Sequence, residues 1–524
     1  MPRSIVVAGW LCALFSALSV WLRSFDPSAF NHDVAYVLYV AGQLLDGHAL
    51  YVDIVEENLP FVFWWSRPAV ALGRALSVAP IAIFNAMLVV GIAGAAALGY
   101  RILRESIPAN PAAYAFSVVG ALCLLEIGAP GYEFGQRDGL FAIAVFPYLF
   151  AAAARVDAVA LAPRWTLLAG LLAGVGFVLK PHFVVVWIVV EGFLFFRAPG
   201  AWKRIENRCI AGVVALGVLA VLVWTPSYLE MIALATRVYD AYATYRLPVL
   251  LGKPALIVFA VAVACFFAVR AGSRDRALRQ ILLVAAMGFL ASAVVQGRAW
   301  DYHYDPLEIA SGLLIVVVGL GFWLRPEGAR PFARVSPSRA FLVLWLVFNL
   351  VAAGALLRAT WQVLGPGAQE RTLVGDLAAV AREHAFGHSI WFLSTSIVPA
   401  FPVVNLSEAR WSSRYCCLWV VPGLYTPAER QARPFPYRTP SEMGALERGL
   451  FDAVVEDLQA DPPALIFVDQ SPDKQAFRRS EFDFLRYFRR DPRFARFFAD
   501  YTPLTRVGPY AIYRREKPGE VLGR

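Results

Sequence analysis

The chain has 524 residues, of which 59% are hydrophobic and 17% charged, against about 45–50% apolar and about 25% charged in soluble domains. That composition excludes a single soluble domain, a disordered chain and a fibrous repeat, and it places the chain in lipid. The net charge of +9 argues for no nucleic acid, because the basic residues sit mostly between apolar runs, where membrane topology accounts for them.

A helix needs about 20 apolar residues to cross a bilayer core. Runs of this kind occupy 5–22, 80–99, 112–128, 139–154, 165–179, 183–196, 209–226, 254–270, 280–296, 307–324 and 339–357. The first reads as a retained span, since no small-residue cleavage site follows it. The run 60–78 is apolar but carries Arg67, Pro68 and Arg74. If it does not span, the loops sort by charge. Seventeen basic residues then face the N-terminal side: Arg3 and those of loops 101–111, 155–164, 197–208, 270–279 and 325–339. Nine face the other side before the tail. By the positive-inside rule the N-terminus is cytoplasmic and 60–78 lies in the outer interface, its Trp64 and Trp65 suited to that depth. The expected fold is a polytopic α-helical membrane protein of about eleven spans over 1–357, with 23–79 an outer loop holding interfacial helices.

Residues 358–524 hold no long apolar run and read as a soluble α/β domain outside the cytoplasm. The expected strands are 388–395, 464–469 and 507–515; the expected helices are 443–459 and 481–501, the latter broken at Pro492. No Gly-rich phosphate loop precedes a helix, and no internal repeat is evident. Six cysteines form no disulfide framework, and the adjacent Cys416 and Cys417 read as buried thiols.

This topology gathers the unusual polar residues at one surface. Loop 23–60 holds Asp33, Asp53, Glu56 and Glu57; loop 129–139 holds Arg137 and Asp138; "LKPH" supplies Lys180 and His182; loop 297–306 holds Arg298, Tyr302 and His303. Ionisable groups at membrane depth are costly and tend to mark function. Bland readings stand beside this one. The acidic loop also obeys topology, Asp33 also suits a helix N-cap, Lys180 also snorkels, Arg137 and Asp138 also suit a local ion pair, and either histidine also suits a structural role. Asp33, Asp53, Glu56 and Glu57 are possible oxygen ligands for a divalent metal, but their spacing is diagnostic of none.

The order Asp33, Tyr36, Leu44, Gly47, Tyr51, Asp53 and Pro60 after a first span, then Arg137–Asp138 at the start of a later one, resembles the GT-C superfamily. The pattern is similar to the bacterial aminoarabinose transferases, protein O-mannosyltransferases and rhizobial galacturonosyltransferases, which use polyprenyl-phosphate-linked sugars. The resemblance implies a glycosyltransferase of the bacterial inner membrane, with a periplasmic C-terminal domain and no cofactor. Its acceptor would be a glycolipid, a polysaccharide or a protein. It implies catalytic roles for Asp33, as general base, and Asp138. Lys180, Arg298, Arg137, His303 and His182 would meet the donor phosphate, and Tyr36, Asp53, Glu56, Glu57 and Tyr302 the substrates. One departure is plain: Asn58-Leu59-Pro60 stands where many relatives carry Lys-Pro-Pro, so another cation must meet the phosphate, or donor or activity differs. The rival readings are a multi-span transporter or lipid flippase, which expects related halves and midplane charges, and a non-catalytic relative in envelope assembly.

Overall fold

The computed structural model describes residues 30–106, 111–198, 200, 203–243, 246–269, 275–323, 368–478 and 480–516. The expected spans 5–22 and 339–357 lie outside these. In chain order the helices are α1 (His32–Leu45), α2 (Phe61–Leu76), α3 (Pro80–Ser106), α4 (Pro111–Gly128), α5 (Arg137–Val156), α6 (Pro163–Leu179), α7 (Val184–Arg197), α8 (Ile205–Trp224), α9 (Tyr228–Val238), α10 (Leu247–Leu251), α11 (Pro254–Ala268), α12 (Arg276–Gln296), α13 (Asp305–Trp323), α14 (Ala368–Ala385), α15 (Ala400–Ser407), α16 (Pro427–Gln431), α17 (Ala445–Ala460), α18 (Phe484–Phe488) and α19 (Pro492–Phe498). Each apolar run expected to span between 80 and 324 forms one of these helices, with ends shifted by a few residues. The chain divides into two compact units.

The first unit comprises 76–222 and the described residues between 246 and 323. Five of its stretches are long and apolar enough to cross a membrane: Pro80–Ser106, Arg137–Val156, Ile205–Trp224, Arg276–Gln296 and Asp301–Gly321. At 1.5 Å rise per residue, about 20 residues reach across a core of about 30 Å. Helix α5 is apolar on every side and buried from Asp138 to Ala154, as a helix at the centre of a bundle must be. It packs against α3, α6, α12 and α13. Helix α8 is the opposite case. Its Leu216, Val218, Leu219 and Leu222 are exposed, and leaving such side chains in water costs about 1.5–3 kcal/mol each relative to burial, so this face is built for lipid. Gly170 lets α6 approach α8, because a Cβ there would meet the Glu206 backbone at 2.6 Å.

The second unit comprises 30–75, 223–243, 368–478 and 480–516. The sequence divides the chain once, near 357; this unit draws in two earlier stretches as well. Its five-stranded sheet has the order β2-β1-β3-β7-β6, from β1 (Ser389–Leu393), β2 (Arg410–Trp411), β3 (Leu465–Asp469), β6 (Tyr501–Val507) and β7 (Tyr510–Arg515); β4 (Asp473–Lys474) and β5 (Phe477–Arg478) pair apart from it. Strands β2, β1 and β3 run parallel, with Ile390 opposite Leu465 and Phe392 opposite Phe467. Both β1 and β3 are buried throughout, which explains their unbroken apolar sequences. Strand β7 joins antiparallel to β3 and β6.

Two expectations change here. The segment 481–501 gives only the short α18 and α19, and Tyr501 already begins β6. The single strand expected over 507–515 is the second arm of a hairpin that turns at Gly508, whose φ is +53°; the turn signal Gly508-Pro509 was the cue. Helix α1 docks on α15 and the end of β2: Asn405 Nδ2 donates to Ala35 O at 3.0 Å, Trp411 N donates to Tyr39 Oη at 3.2 Å, and the Tyr36 and Phe401 rings meet edge-on at 5.0 Å.

Candidate functional site

The first unit assembles its polar residues at chain breaks. Arg137 and Asp138 open α5 behind Gln136, where a helix N-terminus favours a carboxylate. Asp138 is fully buried, and a buried charge must be paired. Its partners come from far along the chain. Lys180 Nζ lies 2.8 Å from Oδ2, and His303 Nδ1 lies 3.2 Å from Oδ1.

Lys180 reaches this position because Pro181 follows it. The residue before a proline is pushed out of the helical region, and Lys180 sits at φ −143°, ψ 79°, ending α6. A single 3-10 turn, Pro181–Phe183, then carries His182. Ser292 Oγ donates to the His182 carbonyl at 3.3 Å and holds that turn. His303 lies on a second 3-10 turn, Asp301–Tyr304. It follows Gly297, which ends α12 at φ +65°. Lys180 Nζ also lies 5.1 Å from the centre of the Tyr302 ring, a cation–π distance. Arg298 stacks over Trp300 at 5.3 Å, and Lys253 pairs with Asp301 at 2.7 Å.

Lys180 therefore does not snorkel; its side chain is buried against Asp138. The His182 and His303 rings stand nearly perpendicular, 5.9 Å apart. Both Nε2 atoms are buried without a hydrogen-bond partner among the described residues. Asp138, His182 and His303 each offer a ligand atom, and these atoms lie within 4.8 Å of one another. The sequence names all three residues but gives no sign that they form one set.

Asp33, Tyr36, Asp53, Glu56 and Glu57 belong to the second unit. Asp33 is not the N-cap of α1. Asn31 is, its Oδ1 accepting from Asp33 N at 2.9 Å and Val34 N at 3.2 Å. An Asn directly before the helix was the readable signal. Asp33 occupies the first turn, partly exposed, with His32 Nε2 3.7 Å away. Tyr36 is buried between Phe63 and Phe401, and burial, then the Glu56 charge, raises its hydroxyl well above the usual range. Gly47, at φ +96°, turns the chain after α1, and Tyr51 Oη donates to Asn58 O at 2.6 Å. Asp53 is exposed and accepts from Ala49 N at 2.8 Å; the buried Glu56 accepts from Asn58 N at 2.8 Å; Glu57 accepts from Tyr239 Oη at 2.8 Å. Several residues of the Asp-Tyr-Gly-Tyr-Asp pattern thus shape the loop that follows α1.

No family model matches the chain, and no curated protein gives a significant sequence match. Solved structures do match. The structure of ArnT from Cupriavidus metallidurans bound to undecaprenyl phosphate is similar with a TM-score of 0.55 and 12% identity, over 96% of this chain and 98% of that one. The same protein in the apo state matches with a TM-score of 0.52 and 14% identity, over 97% and 98%. At such low identity the likeness speaks for the fold alone, and it does so over nearly the whole of both chains: this protein is similar in fold to the ArnT structures.

Proposed function

We propose that this chain is a membrane glycosyltransferase that moves a sugar from a polyprenyl-phosphate donor to an envelope acceptor, at the outer face of a bacterial inner membrane. The observation that carries this reading is the fold match, over 96% of the chain, to an ArnT structure bound to undecaprenyl phosphate. The buried cation–imidazole cluster around Asp138 supports it, because a lipid-phosphate leaving group needs preorganised positive charge rather than a strong acid.

The reaction runs in one displacement. The acceptor hydroxyl oxygen attacks the anomeric carbon as Asp33 takes its proton. A C–O bond to the acceptor forms, the bond from the anomeric carbon to the phosphate oxygen breaks, and the polyprenyl phosphate leaves as an anion. One carboxylate and one displacement give inversion. Lys180, with Arg137 and Arg298, meets the phosphate and stands in for the lysine that Asn58-Leu59-Pro60 lacks. Asp138 holds the Lys180 ammonium in place at 2.8 Å.

The test is mass spectrometry of envelope glycolipids from cells with and without the protein, followed by transfer from a polyprenyl-phosphate sugar in proteoliposomes. Asp33→Asn lowers turnover by about 10²–10⁴, the usual contribution of a general base, while the protein still inserts and folds. Normal turnover by that variant removes Asp33 from the mechanism. Lys180→Ala weakens donor binding more than acceptor binding; unchanged donor affinity assigns the phosphate to another cation.

A further inference from the structure

At the far end of α5 from Asp138, two charged groups of the first unit are not fully answered by protein. The first is Glu191 on α7. It shares one helical stripe with Ile188 and Phe195, three residues after the one and four before the other, and both of those side chains are exposed. Exposed apolar side chains on a span face lipid, so this stripe carries a costly carboxylate at its middle. Glu191 Oε1 accepts from Tyr148 Oη at 2.6 Å. Its Oε2 is buried with no hydrogen-bond partner among the described residues. A Cβ added at the neighbouring Gly192 would meet nothing within 4 Å, so the surface beside Glu191 is open.

The second is Arg204, just before α8. Its Nη1 is likewise buried with no hydrogen-bond partner among the described residues. Glu206 is taken up by Arg155, which donates to both of its oxygens. Burial, then the Arg155 charge, lower the Arg204 guanidinium below its ordinary value, while the Glu206 and Glu191 charges raise it. Arg204 and Glu191 thus lie near enough to act on each other. Yet a donor on one and an acceptor on the other stay unmet, which is costly for buried charged groups. Whatever joins them must accept at one end and donate at the other. Glu191 stands about 9 Å along α7 from Arg197, near the end of the span, on the side that the charge order assigns to the cytoplasm.

We propose that Glu191 and Arg204 hold the headgroup of a phosphoethanolamine lipid, its phosphate on Arg204 and its ammonium on Glu191. A phosphodiester is an anion that only accepts hydrogen bonds, which suits a guanidinium. The ammonium carries three N–H donors, as that of lysine does, and one of them meets Glu191 Oε2. A free phosphate would leave Glu191 unmet and face its charge. A choline headgroup makes the same phosphate contact but has no N–H to give. A glycerol headgroup offers hydroxyls without the positive charge. The exposed Phe195 and Phe196 rings give the acyl chains an apolar wall. This binding does not depend on the proposed sugar transfer.

The experiment uses the full chain in detergent, stripped of co-purified lipid. It is titrated with dioleoyl phosphatidylethanolamine, with the choline and glycerol lipids of the same chains, or with inorganic phosphate, and bound lipid is read by native mass spectrometry. The ethanolamine lipid binds about tenfold or more tighter than the choline lipid, as one hydrogen bond to a charged group requires. It also raises the unfolding temperature by linkage. Glu191→Gln keeps an acceptor for Tyr148 and removes the preference. Arg204→Gln weakens the ethanolamine and glycerol lipids alike. Arg104→Gln, at an exposed residue of α3, changes neither. Equal affinity of the wild type for ethanolamine and choline lipids overturns the proposal, and is the result expected if water joins the two groups. So does a preference that survives Glu191→Gln, an Arg204→Gln variant that binds as tightly as wild type, or inorganic phosphate that raises the unfolding temperature as much as the lipid. None of these readouts contains a sugar donor, so failure of glycosyl transfer leaves the lipid site standing, and the reverse.

Discussion

Helix α5 carries an ion pair at each end, one buried and one partly buried, and the two are built differently. Asp138 and Arg155 lie about 25 Å apart along its axis. At the Arg155 end, the guanidinium forks onto Glu206, with Nε 3.0 Å from Oε1 and NH2 3.3 Å from Oε2. Nearby, Trp187 Nε1 donates to Asn207 Oδ1 at 3.0 Å. Here the two ions answer each other in a fixed bidentate geometry. At the Asp138 end, one carboxylate holds both an ammonium and an imidazole, yet two buried imidazole nitrogens have no hydrogen-bond partner among the described residues. Burying polar atoms without partners is a cost that stability alone does not explain. The first end fastens helices together; the second leaves imidazole nitrogens unmet among the described residues.

The sharpest way to break this contrast is to disarm each carboxylate. Asp138→Asn removes the charge that positions Lys180. Sugar transfer by the folded variant falls by about 10² or more, as for loss of preorganised electrostatic groups. Glu206→Gln instead leaves turnover per folded molecule near wild type in proteoliposome assays. Equal turnover losses in the two variants would erase the distinction.

The next effect is on stability. Glu206→Gln leaves the partly buried Arg155 without its counter-charge and costs about 1–3 kcal/mol, read as a lower unfolding temperature in detergent. A smaller effect is expected at Trp187→Phe, which removes one hydrogen bond and costs about 0.5–1.5 kcal/mol with no change in transfer. The smallest comes from an exposed pair in the other unit. Arg74 donates to both Asp46 oxygens, at 2.7 and 2.8 Å. Asp46→Asn costs only about 0.2–1 kcal/mol, since solvent screens the pair. The Arg74 hydrogen bonds hold the Asp46 carboxyl below its usual range. Its contribution is therefore present above the ordinary carboxylate pKa and fades as pH falls through the depressed value. Unfolding of wild type and Asp46→Asn compared from neutral to acid pH shows the gap closing.

Much of the fold is legible because its signals are local. Apolar run length marks the helices α3 to α8 and α11 to α13, and unbroken apolar strings mark β1 and β3 as strands. Where sequence and structure part, a short-range cue is present: Asn31 before α1 and Gly508-Pro509 within the hairpin. Strand β2 is two residues long and has no local signal at all.

The site divides along the same line. Composition and charge order alone determined a lipid-embedded helical chain with a separate polar C-terminal part, and they named Asp138, Lys180, His182 and His303 as residues of interest. Hydrophobic length and loop charge act residue by residue, so one sequence suffices for them. The sequence does not state that Asp138 holds both Lys180 and His303, the latter 165 residues away, nor that the Nε2 atoms of His182 and His303 have no hydrogen-bond partner among the described residues. Those are properties of three chain breaks brought together by the packing of α5, α6, α12 and α13. Only tertiary structure decides which buried groups meet and which are left unmet.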